Sequence, residues 1–330
     1  MSSPIRALIV GAGAVGQVYG LALQRAGVDV SVFVKPKYAA KARAGFLLHA
    51  LNRPAGPVRL DGVGVLTTAD EVRAQRWDQV WLAVSSTAIE GPWLEDILAA
   101  TGDATVVCLQ PGPEGRARVA PLAGSRMITG IIGFVAYQAP LPGETRFAEP
   151  GIAFWFPPGP SPFAGPAPRV QPVVDALRKG GCPAAVTPST DAAATFGSAL
   201  LQVHVGALDS VDWSWDRVRR GDHLALAARA WREAASVGAA MLGVRRPWWA
   251  GLVRPWGTRL ALRILPRLVP IDLPTYLGYH FTKVGDQTRA NLDVWIVEGR
   301  KRGLPVTALE TLRGRMRPAA VFDPALTLRV

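Results

Sequence analysis

The stretch that most constrains this chain is Ala7-Leu8-Ile9-Val10-Gly11-Ala12-Gly13-Ala14-Val15-Gly16. An apolar run stops at a glycine turn, and a helix of small residues opens at once. Such a turn lets backbone approach a pyrophosphate, whose charge then sits at a helix N-terminus. Residues 5–10 read as a buried parallel strand and 14–26 as the helix that follows. Gly27 stops that helix at the position of a left-handed cap, and Val28 to Val34 form a second strand. The strand-turn-helix-strand frame turns an otherwise weak glycine pattern into a dinucleotide signature. It assigns Gly11, Ala12, Gly13, Ala14, Val15 and Gly16 to the cofactor.

The second strand ends at Lys35-Pro36-Lys37. A site that prefers NAD places Asp or Glu here to accept from the ribose 2′-hydroxyl. Cations suit a 2′-phosphate instead, so Lys35 points to NADP(H). Asp78 to Val84 and Thr105 to Leu109 read as further buried strands, ending in Ser85-Ser86-Thr87 and Gln110-Pro111-Gly112. Ligands of doubly wound sheets bind beyond the carboxyl ends of strands, which adds Ser85 and Gln110 to the cofactor candidates. Met127 to Tyr137 reads as one more strand and Phe147 to Phe156 as a strand in an antiparallel part of the sheet. The Pro- and Gly-rich 157–168 reads as loop. Val170 to Leu177 has helical spacing, and Ala184 to Thr187 is a last short strand.

After Pro188 the pattern changes to long apolar-periodic segments, 190–208, 224–242 and 277–299, with no strand alternation between them. The expected architecture is an α/β Rossmann-type dinucleotide-binding domain over 1–188, followed by an all-helical substrate or dimerisation domain over 189–330. The charge of +12 comes from dispersed basic residues, without a nucleic-acid tract or motif. The two cysteines, Cys108 and Cys182, have no metal or CxxC spacing and fit a reducing cytoplasm. The chain enters a strand without a signal peptide, and no apolar run approaches the ~20 residues needed to cross a bilayer.

These features together resemble the ketopantoate reductase family, among the 6-phosphogluconate-dehydrogenase-like enzymes. The resemblance rests on GAGAVG, Tyr19-Gly20, Ala26-Gly27, the cation ending the second strand, the element order, and Gly303-Leu304-Pro305-Val306. It implies hydride transfer from NADPH to a 2-oxo acid, with a lysine protonating the emerging alkoxide and Asn, Ser and Glu residues holding the substrate. Carried over by spacing, a cofactor-contacting lysine falls on Ser85 and an asparagine on Pro111, beside Gln110. The catalytic lysine falls on Ser198, and two asparagines fall on Gln202 and Gly206. The late serine becomes Thr275 and the substrate-binding glutamate becomes Gln287. A serine hydroxyl is no substitute for an ammonium group as proton donor, which argues against ketopantoate itself as substrate.

A replacement set lies in Tyr279 to Asn291. On one helix, His280, Lys283, Gln287 and Asn291 share a face. Lys283 or His280 is the candidate proton donor, with Gln287 and Thr275 orienting a carbonyl or acid group; the alternative is an exposed polar stripe. The segment 245–273 carries Arg245-Arg246-Pro247-Trp248-Trp249, Arg254-Pro255-Trp256 and then Arg259, Arg263 and Arg267 among leucines. It reads either as a cap over a substrate cleft or homodimer contact, or as a peripheral membrane contact on anionic lipid. The expected function is an NADPH-dependent oxidoreductase reducing a 2-oxo acid or related carbonyl compound. The alternative is an inactive NADP(H)-binding sensor or partner protein.

Overall fold

A computed structural model describes residues 4–52, 56–110, 113–283 and 285–317, except the side chains of residues 86, 87, 113, 114, 283 and 287. The chain divides into two compact units, Met1–Thr190 and Asp191–Val330.

The first unit is built on β1 (Arg6–Val10), a strand buried on both faces. Ala7 and Ile9 point into one core; Leu8 and Val10 point into the other. This period-two division is what a central parallel strand requires. Around it run β2 (Asp29–Phe33), β3 (Phe46–Ala50), β4 (Val58–Leu60), β5 (Gly64–Leu66), β6 (Gln79–Leu82), β7 (Thr105–Cys108), β8 (Met127–Gly130), β9 (Val135–Ala139), β10 (Gly151–Trp155), β11 (Ser161–Ala164) and β12 (Ala184–Val186). The main sheet has the order β12-β11-β8-β7-β6-β1-β2-β5, parallel throughout except where β11 meets β8. From β1 the chain first builds outward through β2 and β5. It then returns to place β6 on the other side of β1, so the topological switch point lies between β1 and β6.

A second sheet, β4-β3-β10-β9, covers the helix Ala14–Arg25. That helix is enclosed between the sheets, and its small residues are the reason it can be. A Cβ on Gly20 would stand 3.0 Å from Leu60 Cδ2 on one side and 3.1 Å from Ile9 Cδ1 on the other. Tyr19, fully buried beside it, packs on Trp81, Phe134 and Phe163.

Three sequence expectations change here. Met127 to Tyr137 is two strands in two sheets, because the chain leaves the main sheet after Gly130. Ile131 N–H then donates to the Pro162 carbonyl (3.0 Å) and Gly133 N–H to Ser161 Oγ (3.1 Å). The strand expected over 147–156 is Gly151–Trp155, antiparallel to β9 but parallel to β3, in the smaller sheet. The expected loop 157–168 contains β11, whose Pro162 takes part in the pairing as an acceptor only.

The second unit is helical. Helices Asp191–Asp209 and His223–Leu242 pack with Gly285–Lys301 and Thr307–Arg315 around Ala199, Val203, Ala230, Trp231, Ala234, Leu292, Leu309 and Leu312. Small side chains let the helices approach: a Cβ on Gly238 would stand 2.8 Å from Thr195 Cγ2 and 3.3 Å from Trp295. Glu233 fixes the last described helix. Its two carboxylate oxygens accept from Ala308 N–H (3.1 Å) and Leu309 N–H (2.9 Å), where an anion is favoured by the helix dipole. The expected continuous segment 277–299 corresponds to Leu273–Lys283 and Gly285–Lys301, on either side of Val284, which lies outside the described residues.

Candidate functional site

At the switch point the backbone of β1 runs into Gly11, whose N–H donates to the Phe33 carbonyl at 3.0 Å. Gly11 has φ +96°, a conformation that disfavours any Cβ, and a Cβ there would also strike Val84 Cγ1 at 2.6 Å and the Ala83 carbonyl oxygen at 2.8 Å. The turn is thus wedged against the end of β6. Gly16 holds the helix down on the turn, since its Cβ would fall 2.1 Å from the Gly11 carbonyl oxygen. Gln17 Nε2 ties the turn from the side by donating to the Ala12 carbonyl (2.8 Å).

Gly13 differs from these two. It is the N-cap of the helix Ala14–Arg25, is exposed, and has no atom within 4 Å of the place a Cβ would occupy. No side chain caps the helix, and its first turn contains no acidic residue. The first-turn N–H groups, with Ala12, Ala14 and Val15 beside them, therefore face open space with the positive end of the dipole. That arrangement has room and polarity for a phosphate anion, and the residues present fit a dinucleotide pyrophosphate.

Lys35 follows β2 as the N-cap of the helix Pro36–Arg43, exposed and with no ion-pair partner among the described residues. Lys37 lies close by, its ammonium 5.0 Å over the Tyr38 ring. Ser85 follows β6 and caps the short helix Ser86–Ile89, its Oγ accepting from Ala88 N–H at 3.3 Å. Gln110 is fully buried behind the strand ends. Its Nε2 donates to the carbonyls of Leu82 (3.1 Å) and Val84 (3.0 Å), and its Oε1 accepts from Cys108 Sγ at 3.3 Å. Its side chain therefore sets the spacing of the β6 and β7 ends from within the protein. Arg116, absent from the sequence reading, donates Nε to the Gln110 carbonyl (3.2 Å) and brings a guanidinium to the end of β7. A lone arginine beyond a strand end carries no sequence signal; only the fold selects it.

In the second unit, the three family positions carried over to the helix Asp191–Asp209 lie on one face at four-residue spacing. Ser198 is half-buried, Gln202 is buried with its Oε1 unpartnered, and Gly206 packs toward Met316 and Leu292. His204 on the same helix is half-buried. Burial holds its imidazole below the ordinary range, and Nδ1 lies 2.8 Å from the Leu200 carbonyl. Thr275 Oγ1 donates to Asp272 Oδ2 at 2.6 Å, and Thr275 N–H donates to Asp272 Oδ1, an arrangement that opens the helix Leu273–Lys283. His280 is exposed, stacked on Tyr276 at 5.5 Å and edge-on to Phe281. The side chains of Lys283 and Gln287 lie outside the described residues. Among the described residues no group of His, Cys, Asp or Glu could hold a metal ion, and both cysteines are buried and free.

Residues 7–160 match the family model described as ketopantoate reductase PanE/ApbA. No curated protein matches the chain. Among solved structures, a PanE/ApbA family ketopantoate reductase from Ralstonia eutropha JMP134 is 21% identical, with a TM-score of 0.67 over 94% of this chain and 96% of that one. A ternary structure of D-mandelate dehydrogenase with NADH and anilino(oxo)acetate is 14% identical, with a TM-score of 0.70 over 94% and 96%. A 2-dehydropantoate 2-reductase from Geobacter metallireducens GS-15 is 18% identical, with a TM-score of 0.66 over 94% and 99%. At these identities the structures share the fold of both units with this chain.

Proposed function

We propose, from the premise that the first unit of this chain is a ketopantoate reductase PanE/ApbA family domain, that the protein is an NADP(H)-dependent oxidoreductase of a 2-oxo acid or related carbonyl compound. The observation that carries the reading is the open, uncapped helix N-terminus at Gly13, set at the switch point with Lys35 at the end of the adjacent strand. The glycine turn and the first-turn N–H groups would hold the pyrophosphate, and Lys35 the 2′-phosphate. D-mandelate dehydrogenase, bound to NADH in a similar fold, supports a nicotinamide cofactor; the preference for NADP(H) rests on Lys35.

When bound, the nicotinamide supplies a hydride. The chain must then supply a proton and hold the substrate, and Lys283 or His280 is proposed for the first task, with Gln287 and Thr275 for the second. Ser198 at the family's lysine position removes the usual donor, and loss of a general acid costs about 10²–10⁴ in rate. The same replacement favours a second reading, an NADP(H)-binding sensor or partner protein without turnover.

Titration of the full chain with NADPH and NADH by nucleotide fluorescence, followed by 340 nm absorbance with a panel of 2-oxo acids, separates the two. The first reading expects NADPH to bind more tightly than NADH and to be oxidised with some panel member. Binding without oxidation across a broad panel moves the protein to the second reading. No binding of either nucleotide overturns both.

A further inference from the structure

In the second unit, the helix Pro255–Leu268 has no buried residue. Leu262 faces the core, while Trp256, Leu260, Ile264 and Leu268 recur every four residues on the outside, with Leu265 beside them. Trp256 is 69% exposed and Leu268 71%. Just before the helix, Trp248 is 83% exposed and Leu252 64%. Single exposed apolar residues are ordinary, but a continuous row of large ones along a helix and its approach is not.

Arg259, Arg263 and Arg267 run at four-residue spacing along the edge of this row, and Arg245, Arg246 and Arg254 precede it. All six are exposed, and none has an acidic partner among the described residues. No acidic residue occurs between Glu233 and Asp272, so nothing in this segment offsets the positive charge. Where Arg259 and Arg267 form hydrogen bonds, the acceptors are the backbone carbonyls of Arg219 and Arg263.

We infer that this face is a docking surface for an anionic lipid bilayer. An amphipathic helix with tryptophan and leucine on one side and arginine along its edge lies in the plane of the headgroups, apolar face down, with its cations against lipid phosphates. Charge complementarity selects lipid over a second copy of the chain. A twofold contact through this face would bring its arginines close to their own counterparts. The contact is peripheral, since no helix of the described residues is long and apolar enough to cross a membrane. The inference stands independently of the cofactor and substrate proposed above.

The test is co-sedimentation of the full-length protein with vesicles of phosphatidylcholine alone or with about 30% phosphatidylserine, where a surface potential develops. The expected result is pelleting with the anionic vesicles only, weakened at about 0.5 M salt by screening. Arg263→Gln with Arg267→Gln should lower the partition coefficient about fivefold per arginine. Trp256→Ser with Leu260→Ser should lower it at least about tenfold through lost apolar burial. Circular dichroism checks that both variants are folded, and each pair tests the surface without the other. Equal pelleting with neutral and anionic vesicles, no pelleting, or pelleting unchanged in both folded variants overturns the inference. So does a soluble dimer, seen by light scattering, that Trp256→Ser dissociates in the absence of vesicle binding; that result makes the face a self-contact.

Discussion

A Cβ placed on Gly16 would lie 2.1 Å from the carbonyl oxygen of Gly11, so the turn and the helix of the nucleotide motif are in backbone contact. Gly13, between them, has open space where its Cβ would be. The three glycines of one motif therefore have separable roles.

Gly16→Ala should disturb the fold itself, lowering stability by about 1–3 kcal/mol as overpacking does, and should lose nucleotide binding with it. Gly13→Ala should melt like the parent protein while binding NADPH at least about tenfold more weakly, because a methyl group enters the space the pyrophosphate needs. Thermal melts beside fluorescence titrations distinguish the two outcomes.

Lys35 is the exposed cation after β2, with no ion-pair partner among the described residues. Lys35→Glu should reverse or abolish the preference for NADPH over NADH. A charge-assisted hydrogen bond is worth about 1.5–3 kcal/mol, hence a change of about 10- to 150-fold in the affinity ratio. An unchanged ratio removes Lys35 from the cofactor site.

Gln110→Leu should destabilise the first unit. The carbonyls of Leu82 and Val84 would lose their shared donor, and leaving buried acceptors unpaired costs about 1–3 kcal/mol. Urea denaturation should show a lowered midpoint.

His204 gives a pH dependence. Its folded-state imidazole is held below the ordinary range by burial, so the unfolded chain binds the proton more readily. Stability is then present above the ordinary imidazole range and falls as pH drops through the window below it. Urea midpoints at about pH 7.5 and about pH 5.5 should differ, with less of a difference in His204→Gln.

For chemistry, Lys283→Ala and His280→Ala are to be compared with the parent protein on any 2-oxo acid that is turned over. The expected loss in the variant lacking the donor is about 10²–10⁴ in kcat. Unchanged rates in both would end the assignment.

The central strands β1, β6 and β7 of the main sheet were legible because, buried on both faces, they are near-uniform apolar runs ended by a glycine or a polar cluster; β5 and β11, short and without such a run, were not. The smaller sheet was not. Its strands Phe46–Ala50 and Val58–Leu60 are short and pair with each other, and Phe46–Ala50 also pairs with a segment about a hundred residues later that no local pattern announces. At the site, backbone chemistry could be read directly because glycine spacing is itself the signal. Side-chain roles were less accessible: Gln110 stands in a strand-end position typical of ligand walls, and only its buried hydrogen bonds show what its amide holds. Thr275 likewise has a local partner, Asp272, three residues earlier, a pattern shared by ordinary helix starts.

The smaller sheet also orders events during synthesis. Asn52 donates to the Phe156 carbonyl and accepts from Phe156 N–H, both at 2.7 Å and across 104 positions of chain. Until β10 leaves the ribosome, β3 has an open edge and the helix Ala14–Arg25 lacks part of its apolar cover. At about 5–20 residues per second that interval lasts several seconds. The part of the chain that carries the nucleotide signature is made before the strand that completes its cover, and the unpaired edge of β3 is a stretch that needs protection while translation continues.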